Sequence, residues 1–211
     1  MKALILVDIQ NDFLPNGSLA VPQGDQIFPV VNQLLKCAFD LKIATKDWHP
    51  KNHISFAANH SKQPGETVLV DGFEQILWPV HCVKETWGAE FATGWDSHLV
   101  DKVIYKGTDP SIDSYSTFFD NEHVQETPLK AYLREYQVEE VYLAGLATEY
   151  CVKYSALDSL GLGFRTFVVI DGCRGVNLNA DDTDHAIHEL LQAGAEILSL
   201  ADVQAKLNRP L

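Results

Sequence analysis

The sequence lacks the features that would place it in several specialised classes of protein. None of its 211 residues falls in a run that approaches the ~20 consecutive apolar residues a membrane-spanning helix requires. The short apolar run at the N-terminus ends at Asp8, too soon for a signal peptide, so we expect a cytoplasmic protein. Basic residues are few: 16 Lys and Arg stand against 29 Asp and Glu, a balance that argues against sequence-independent binding of nucleic acid.

Cysteine is also scarce, and its spacing does not suggest pairing. The four cysteines are widely scattered, and we expect free thiols at Cys37, Cys82, Cys151 and Cys173. No internal repeat, low-complexity tract or linker-like run of Pro, Gly and Ser divides the chain. The composition, 46% hydrophobic and 21% charged, is that of an ordinary globular protein. We therefore predict one domain over residues 1–211.

Short apolar runs rich in β-branched residues recur along the chain, and helical patterns lie between them. The runs have no polar face, which is typical of parallel strands covered by helices on both sides. The alternation predicts an α/β protein with an open, doubly wound sheet and right-handed crossovers. The predicted strands are 3–7, 42–45, 103–105, 141–144, 166–170 and 197–200, and the predicted helices are 27–39, 128–136, 148–160 and 180–193.

Two connections are longer than ordinary α/β loops. They span residues 48–97 and 107–127, and both are rich in His, Trp, Tyr and Gly. Loops of this length are usually functional or contain small elements of their own. Both follow the carboxyl ends of predicted strands, where ligands bind in open α/β sheets. The sequence therefore predicts a functional site at that edge.

Cys151 lies in the segment G-L-A-T-E-Y-C-V, where a predicted strand is followed by a predicted helix. The first helical turn offers free N–H groups and the positive end of the helix dipole, which favour a thiolate and lower the pKa of a thiol. The same N–H groups can hold an oxyanion. The pattern predicts a nucleophile, and the alternative is a small buried hydrophobic residue.

Asp8 and Lys106 each end a predicted strand at the same edge. Asp8 closes L-I-L-V-D and is suited to take the Cys151 proton and return it to a leaving amine. Lys106 closes V-I-Y-K, where its charge would stabilise both the thiolate and the carboxylate. The alternatives are an aspartate that caps a turn and a solvated lysine.

A candidate metal site follows the second predicted strand, in T-K-D-W-H-P-K-N-H. Asp47 and His49 are two residues apart, so in an extended chain both side chains project from one face. His81, in the long loop W-P-V-H-C, would complete a mixed oxygen and nitrogen set that leaves positions open for water or substrate. His53 is either a fourth ligand or a partner of the ligands, and we interpret Cys82 as structural.

These segments, in order and at compatible spacing, resemble the nicotinamidase branch of the isochorismatase-like hydrolases. The resemblance rests on V-D-I-Q-N-D-F, T-K-D-W-H-P-K-N-H-I-S-F, W-P-V-H-C-V, Y-K-G-T and G-L-A-T-E-Y-C-V, and it extends to about Gly175. It implies a six-stranded, mainly parallel sheet with helices on both faces. It also implies an enzyme of NAD salvage that deamidates nicotinamide, and pyrazinamide, through a thioester.

The resemblance also assigns roles to individual residues. It implies the catalytic triad Asp8, Lys106 and Cys151, the metal ligands Asp47, His49 and His81, and substrate contacts from Phe13, Trp78 and Tyr115. It implies a cis peptide between Leu146 and Ala147, with the N–H groups of Ala147 and Cys151 forming the oxyanion hole. The metal would be one divalent ion, Zn foremost, with Fe and Mn also suited to the ligands. His53 departs from the family spacing, so its role stays open.

Two other interpretations remain at this point. An amidase of the same fold would keep the triad but prefer another small carboxamide. A non-catalytic binding module would have no reason to keep three reactive side chains together. Neither interpretation involves nucleic acid or a membrane, and the sequence leaves a homo-oligomer open.

Overall fold

A computed structural model describes residues 1–70 and 72–207, and it contains the predicted parallel sheet. Six strands form it: β1 (Lys2–Val7), β2 (Leu41–Asp47), β5 (Lys102–Lys106), β6 (Glu140–Leu146), β7 (Arg165–Arg174) and β8 (Glu196–Leu198). Their order is β5-β2-β1-β6-β7-β8, and every neighbouring pair is parallel. The predicted domain also includes Asp71 and residues 208–211, which lie outside the described residues.

The two central strands are apolar on both faces because both faces are covered. In β1 every residue after Lys2 is buried, and in β6 every residue after Glu140 is buried. The register pairs Val7 with Gly145 across β1 and β6, so both strands end at the same edge. The six predicted strands are confirmed, with bounds that differ by a few residues.

Five α-helices are described: α1 (Phe28–Leu34), α2 (Leu129–Glu135), α3 (Lys153–Gly161), α4 (Asp182–Ala193) and α5 (Leu200–Leu207). Helices α1 and α5 pack together against β7, and α3 and α4 form a second pair that packs against β7 and β8. The predicted doubly wound arrangement is therefore confirmed. Three details differ from the prediction: α5 was not predicted, the predicted helix 27–39 ends at Leu34, and the predicted helix 148–160 begins with a π-helical turn.

The first long connection contains a small element that sequence reasoning did not predict. It is an antiparallel hairpin of β3 (Thr67–Val70) and β4 (Phe73–Ile76). Leu69 and Phe73, on this hairpin, are largely exposed. Within residues 1–70 and 72–207, no helix has both the length and the hydrophobicity needed to cross a membrane.

Candidate active site

Four adjacent strands bring one reactive side chain each to the same edge of the sheet. Lys106 is the last residue of β5, Asp47 is the last residue of β2, and Asp8 directly follows β1. Cys151 follows β6, in the π-helical turn Thr148–Val152. Because β1 lies between β2 and β6 in the sheet, the group sits where the strand order reverses, the usual ligand site of open α/β sheets.

The Lys106 ammonium lies at the centre of this group. Its Nζ is 2.9 Å from Asp8 Oδ2 and 3.3 Å from Cys151 Sγ, and it also donates to Asp47 Oδ1. A further hydrogen bond reaches Ser114 O at 2.9 Å. Burial alone would lower the pKa of Lys106, but Asp47 and Asp8 outweigh it and raise that pKa well above its usual value. Lys106 is therefore charged at neutral pH.

The surroundings of the Cys151 thiol favour its protonated form, contrary to the lowered pKa expected at a helix N-terminus. Only 7% of the residue is exposed, and burial raises the pKa of the thiol well above its usual value. Lys106 lowers that pKa, but Asp8 and Asp47 raise it again. The expectation took account of the helix dipole and of Lys106, but not of the burial of the sulfur or of the two carboxylates beside it. The sulfur therefore needs a proton acceptor before it can attack a carbonyl.

Asp8 is placed to be that acceptor. Ligand atoms of Asp8, Asp47 and Cys151 all lie within 4.8 Å of one another, with Lys106 as the shared cation. Asp8 Oδ1 accepts a 2.6 Å hydrogen bond from Thr45 Oγ1, which fixes the carboxylate. Burial raises the pKa of Asp8, Lys106 opposes the shift, and the net change is upward. A carboxylate with a raised pKa is the better general base.

The predicted metal ligands converge beside the same carboxylate. Asp47 Oδ2 is 3.5 Å from His49 Nε2 and 3.9 Å from His81 Nε2. His49 Nδ1 lies 2.8 Å from Gly107 O, and His81 Nδ1 lies 2.7 Å from Pro79 O. Because a carbonyl can only accept, both Nδ1 atoms carry a proton, and Nε2 is the nitrogen of each ring that can bind an ion. The residues present therefore fit a divalent cation.

The close approach of His49 to the backbone depends on Gly107. A Cβ at this position would lie 2.4 Å from His49 Cε1, and Gly107 adopts a left-handed φ of 62°. Any other residue would displace the imidazole. Burial would lower the pKa of His49, but Asp47 outweighs it and the pKa rises. Burial lowers the pKa of His81 to about 4, which leaves it neutral and able to bind an ion at pH 7.

His53 lies behind these ligands. Its ring packs against that of His49 in a tilted arrangement with centroids 4.0 Å apart, and its Nδ1 is 2.7 Å from Ser55 Oγ. Its buried Nε2 has no hydrogen-bond partner among the described residues. Ligand atoms of His49, His53 and Asp113 also lie within 4.8 Å of one another. The geometry is therefore compatible with both roles of His53, as a metal ligand and as a residue that packs against the ligands.

A narrow cleft opens over Cys151, and aromatic rings form its walls. Trp78 Nε1 donates to Tyr115 Oη at 3.1 Å, and both rings pack against Tyr150. Phe13 faces the His81 ring from the other side, with centroids 5.6 Å apart. The three aromatic side chains that were predicted to contact a substrate thus line the same cleft as Cys151 and the predicted metal ligands Asp47 and His81. The full lining is Phe13, Leu19, Asp47, Trp78, His81, Asp113, Tyr115, Ala147, Tyr150, Cys151 and Val176.

The backbone before the nucleophile has the geometry that the resemblance implied. The peptide between Leu146 and Ala147 is cis. Ala147 O accepts hydrogen bonds from Tyr150 N and Val152 N, both at 3.2 Å. These two bonds hold the tight turn that presents Cys151. The use of the Ala147 and Cys151 N–H groups as an oxyanion hole remains a prediction.

Three contributions escaped sequence reasoning. The direct contact between Asp47 and Lys106 joins the predicted triad to the predicted metal ligands. The buried Gln10 side chain clamps Asp47 by accepting from its N–H and donating to its carbonyl, both at 2.8 Å. Tyr150 packs between Trp78 and Tyr115. The motif V-D-I-Q-N-D-F contains Gln10, but only the fold shows which backbone it meets.

With this geometry described, comparisons with known proteins identify the family. The model of the isochorismatase domain matches residues 2–202. A nicotinamidase of Escherichia coli strain K12 is 45% identical over 204 residues, covering 95% of this chain and 96% of that protein. A solved nicotinamidase/pyrazinamidase of Acinetobacter baumannii has a TM-score of 0.92 and 43% identity, covering 96% and 97% of the two chains.

The protein is a member of the isochorismatase family. Within that family the chain is similar to nicotinamidases over nearly its whole length. A third comparison bears on the metal: the pyrazinamidase of Pyrococcus horikoshii, solved in complex with zinc, has a TM-score of 0.76 and 38% identity, covering 94% and 98% of the two chains.

Proposed function

We propose that this protein is a metal-containing nicotinamidase, which converts nicotinamide to nicotinate and ammonia and also accepts pyrazinamide. The observation that carries the proposal is the contact of Lys106 with Asp8, Asp47 and Cys151 at the base of an aromatic cleft. The similarity to nicotinamidases at 45% and 43% identity supports the substrate. The reaction would belong to NAD salvage.

The chemistry begins with proton transfer from Cys151 to Asp8, while Lys106 holds the charge of both. The sulfur attacks the carboxamide carbon, and the resulting oxyanion accepts hydrogen bonds from the N–H groups of Ala147 and Cys151. The carbon–nitrogen bond breaks as Asp8 returns the proton to the departing ammonia. Asp8 then accepts a proton from water as the water oxygen adds to the thioester carbon, and the carbon–sulfur bond breaks as that proton passes to the sulfur. The other proton leaves with the acid product, which ionises to nicotinate.

Asp47, His49 and His81 would hold the metal. When bound, the ion would offer an open coordination position to the lone pair of the pyridine ring nitrogen, directly or through its water. Nitrogen and oxygen donors suit Zn²⁺, and they also suit Fe and Mn. The zinc complex of the similar Pyrococcus horikoshii pyrazinamidase supports zinc.

The aromatic walls of the cleft favour a substrate with a flat aromatic ring. Phe13, Trp78 and Tyr115 flank the space above Cys151, so a flat ring can stack between side chains while its carboxamide meets the sulfur. Aromatic contacts of this kind contribute about 0.5–1.5 kcal/mol each beyond simple burial. A linear aliphatic amide would forgo that stabilisation.

The direct test is ammonia release from nicotinamide by the purified protein, with elemental analysis of the same sample. We expect turnover and about one divalent ion per chain. A panel of small carboxamides separates a nicotinamidase from another amidase of this fold. If no amide releases ammonia, the protein is not an amidase, and a binding role would have to be considered instead.

A further inference from the structure

Glu149 is a buried acidic side chain that the proposed chemistry does not use. It lies two residues before Cys151 in the same π-helical turn and is 6% exposed. Its Oε1 accepts a 2.6 Å hydrogen bond from Asn177 N, whereas Oε2 is buried without a partner among the described residues. Burying a carboxylate costs free energy, so a buried glutamate at this position calls for a structural or functional explanation.

The partner of Glu149 belongs to a segment that borders the cleft. Asn177 is held on its other side as well, since its Oδ1 accepts a 3.0 Å hydrogen bond from Thr183 N in the first turn of α4. The preceding residue, Val176, lines the cleft together with Ala147 and Cys151. The segment 175–177 is thus fixed between the Cys151 turn and α4.

Gly175 shows how closely this segment is packed. A Cβ on Gly175 would lie 2.6 Å from Glu149 Oε2 and 2.1 Å from Thr183 Oγ1. Both oxygens are buried and lack hydrogen-bond partners among the described residues, so a side chain at position 175 would meet two buried polar atoms. Burial raises the pKa of Glu149, and the N–H groups of Asn177 and Val176 oppose that shift. The backbone of the segment therefore surrounds the carboxylate.

We infer that Glu149 is a positioning residue that fastens residues 175–177 at the border of the cleft, so that Val176 closes the substrate pocket beside Cys151. Because Glu149 and Cys151 share one turn, the wall of the pocket and the nucleophile are set in a fixed relation. The inference rests on the proposed function for its substrate, but the contact it describes does not depend on that substrate.

A double-mutant cycle tests whether Glu149 acts through Val176. Glu149→Ala removes the acceptor for Asn177 N, and Val176→Ala removes the apolar contact directly. Each should lower kcat/KM for nicotinamide by about 10-fold or more, mainly through KM, the usual scale for losing a small apolar contact in a binding pocket. In the Val176→Ala background, Glu149→Ala should add no more than about twofold, because both changes remove the same contact. Equal losses in both backgrounds would overturn the inference.

Two further variants separate positioning from charge and from general stability. Glu149→Gln keeps an acceptor for Asn177 N and places its NH₂ beside Thr183 Oγ1, so it should restore most of the wild-type kcat/KM. A loss as large as that of Glu149→Ala would refute the inference. The matched control is Glu140→Ala at the far end of β6, where the carboxylate accepts from Tyr142 Oη at 2.8 Å. It should lower Tm without changing KM.

An arm without substrate separates failure of this inference from failure of the proposed function. In a Cys37→Ser background, alkylation of Cys151 is followed with iodoacetamide and with the bulkier N-ethylmaleimide. Freeing Val176 by Glu149→Ala should accelerate the maleimide reaction more than the iodoacetamide reaction. Unchanged relative rates would overturn the inference even if the wild-type protein hydrolyses nicotinamide. Wild-type protein that releases no ammonia would overturn only the proposed function.

Discussion

Replacement of Lys106 by methionine is the sharpest physical test of the site. Methionine keeps most of the length and apolar volume of the lysine side chain but removes its charge. In the wild-type protein that charge is fully buried and contacts Asp8, Asp47 and Cys151. The variant therefore keeps two buried carboxylates and removes the cation between them.

The expected loss of stability is large. Removing one partner of a buried ion pair typically costs about 3–5 kcal/mol, because an uncompensated charge stays buried. Whole domains are stable by only about 5–15 kcal/mol, so the free energy of unfolding should fall by a sizeable fraction. Urea unfolding of chelator-treated protein measures it without a contribution from bound metal.

Lys46→Met is the matched control. Lys46 lies on β2, and its side chain is only 7% exposed, yet its partner Glu90 is 54% exposed. The ammonium also lies 4.5 Å from the centroid of the Phe91 ring. Because Glu90 can be solvated once the lysine is gone, and a cation–π contact is worth about 0.5–2 kcal/mol, we expect a loss of no more than about 2 kcal/mol.

The effect of Lys106→Met should also depend on pH. In the wild-type protein Asp47 has a lowered pKa, since Lys106 and His49 outweigh burial, so its stabilisation is present above the unfolded pKa and lost as pH falls. In the variant the two carboxylates lose Lys106, the cation they share, which raises their folded pKa values. The variant therefore loses stability as pH rises from about 4 to 7. The difference in the free energy of unfolding between the wild-type protein and the variant should be largest near pH 7 and become smaller towards pH 4. A loss no larger than that of Lys46→Met, or one independent of pH, would refute the reasoning.

Four further outcomes follow from the proposed function. Cys151→Ala should abolish ammonia release while circular dichroism stays unchanged, and wild-type turnover in this variant would exclude Cys151 as the nucleophile. Asp8→Asn should lower kcat by about 10²–10⁴-fold, and a loss under about tenfold would make Asp8 structural. His81→Ala should reduce the metal content found by elemental analysis while His53→Ala does not, and the reverse result would change the ligand assignment. Benzamide, which lacks the ring nitrogen, should be hydrolysed with a kcat/KM about 10⁴-fold below that of nicotinamide, and comparable values would indicate a general amidase.

The fold was predictable from the sequence because its central strands are buried on both faces. A continuous apolar run such as that of β1 has few alternatives once helical patterns flank it. The hairpin Thr67–Ile76 escaped because its strands are short and largely exposed, so no burial pattern marks them. Helix α5 was not predicted because it begins at Leu200, two residues after the end of β8. The whole apolar run 197–200 was therefore assigned to the strand.

The candidate site was predictable in its residue types and less so in its electrostatics. Strand ends located Asp8 and Lys106, since parallel strands finish at one edge. The direction of the pKa shift at Cys151 was not predicted, because it depends on how deeply the sulfur is buried and on which carboxylates face it. Those are properties of packing between distant segments. For the same reason the role of Glu149 depends on a loop about 28 residues away in sequence.

Asp47 connects the predicted triad with the predicted metal ligands, so the two groups depend on each other. Its register partner across β2 and β5 is Lys106, so sheet pairing alone places the carboxylate beside the ammonium. One oxygen then meets Lys106, and the other faces the Nε2 atoms of His49 and His81. Any cation held by the histidines would share this carboxylate with the group that contacts Cys151. Gln10 fixes the Asp47 backbone from both sides, so the carboxylate cannot shift towards one neighbour without straining the clamp. The positions of the proposed metal ligands and of the proposed nucleophile therefore both depend on the residue at the end of one strand, Asp47.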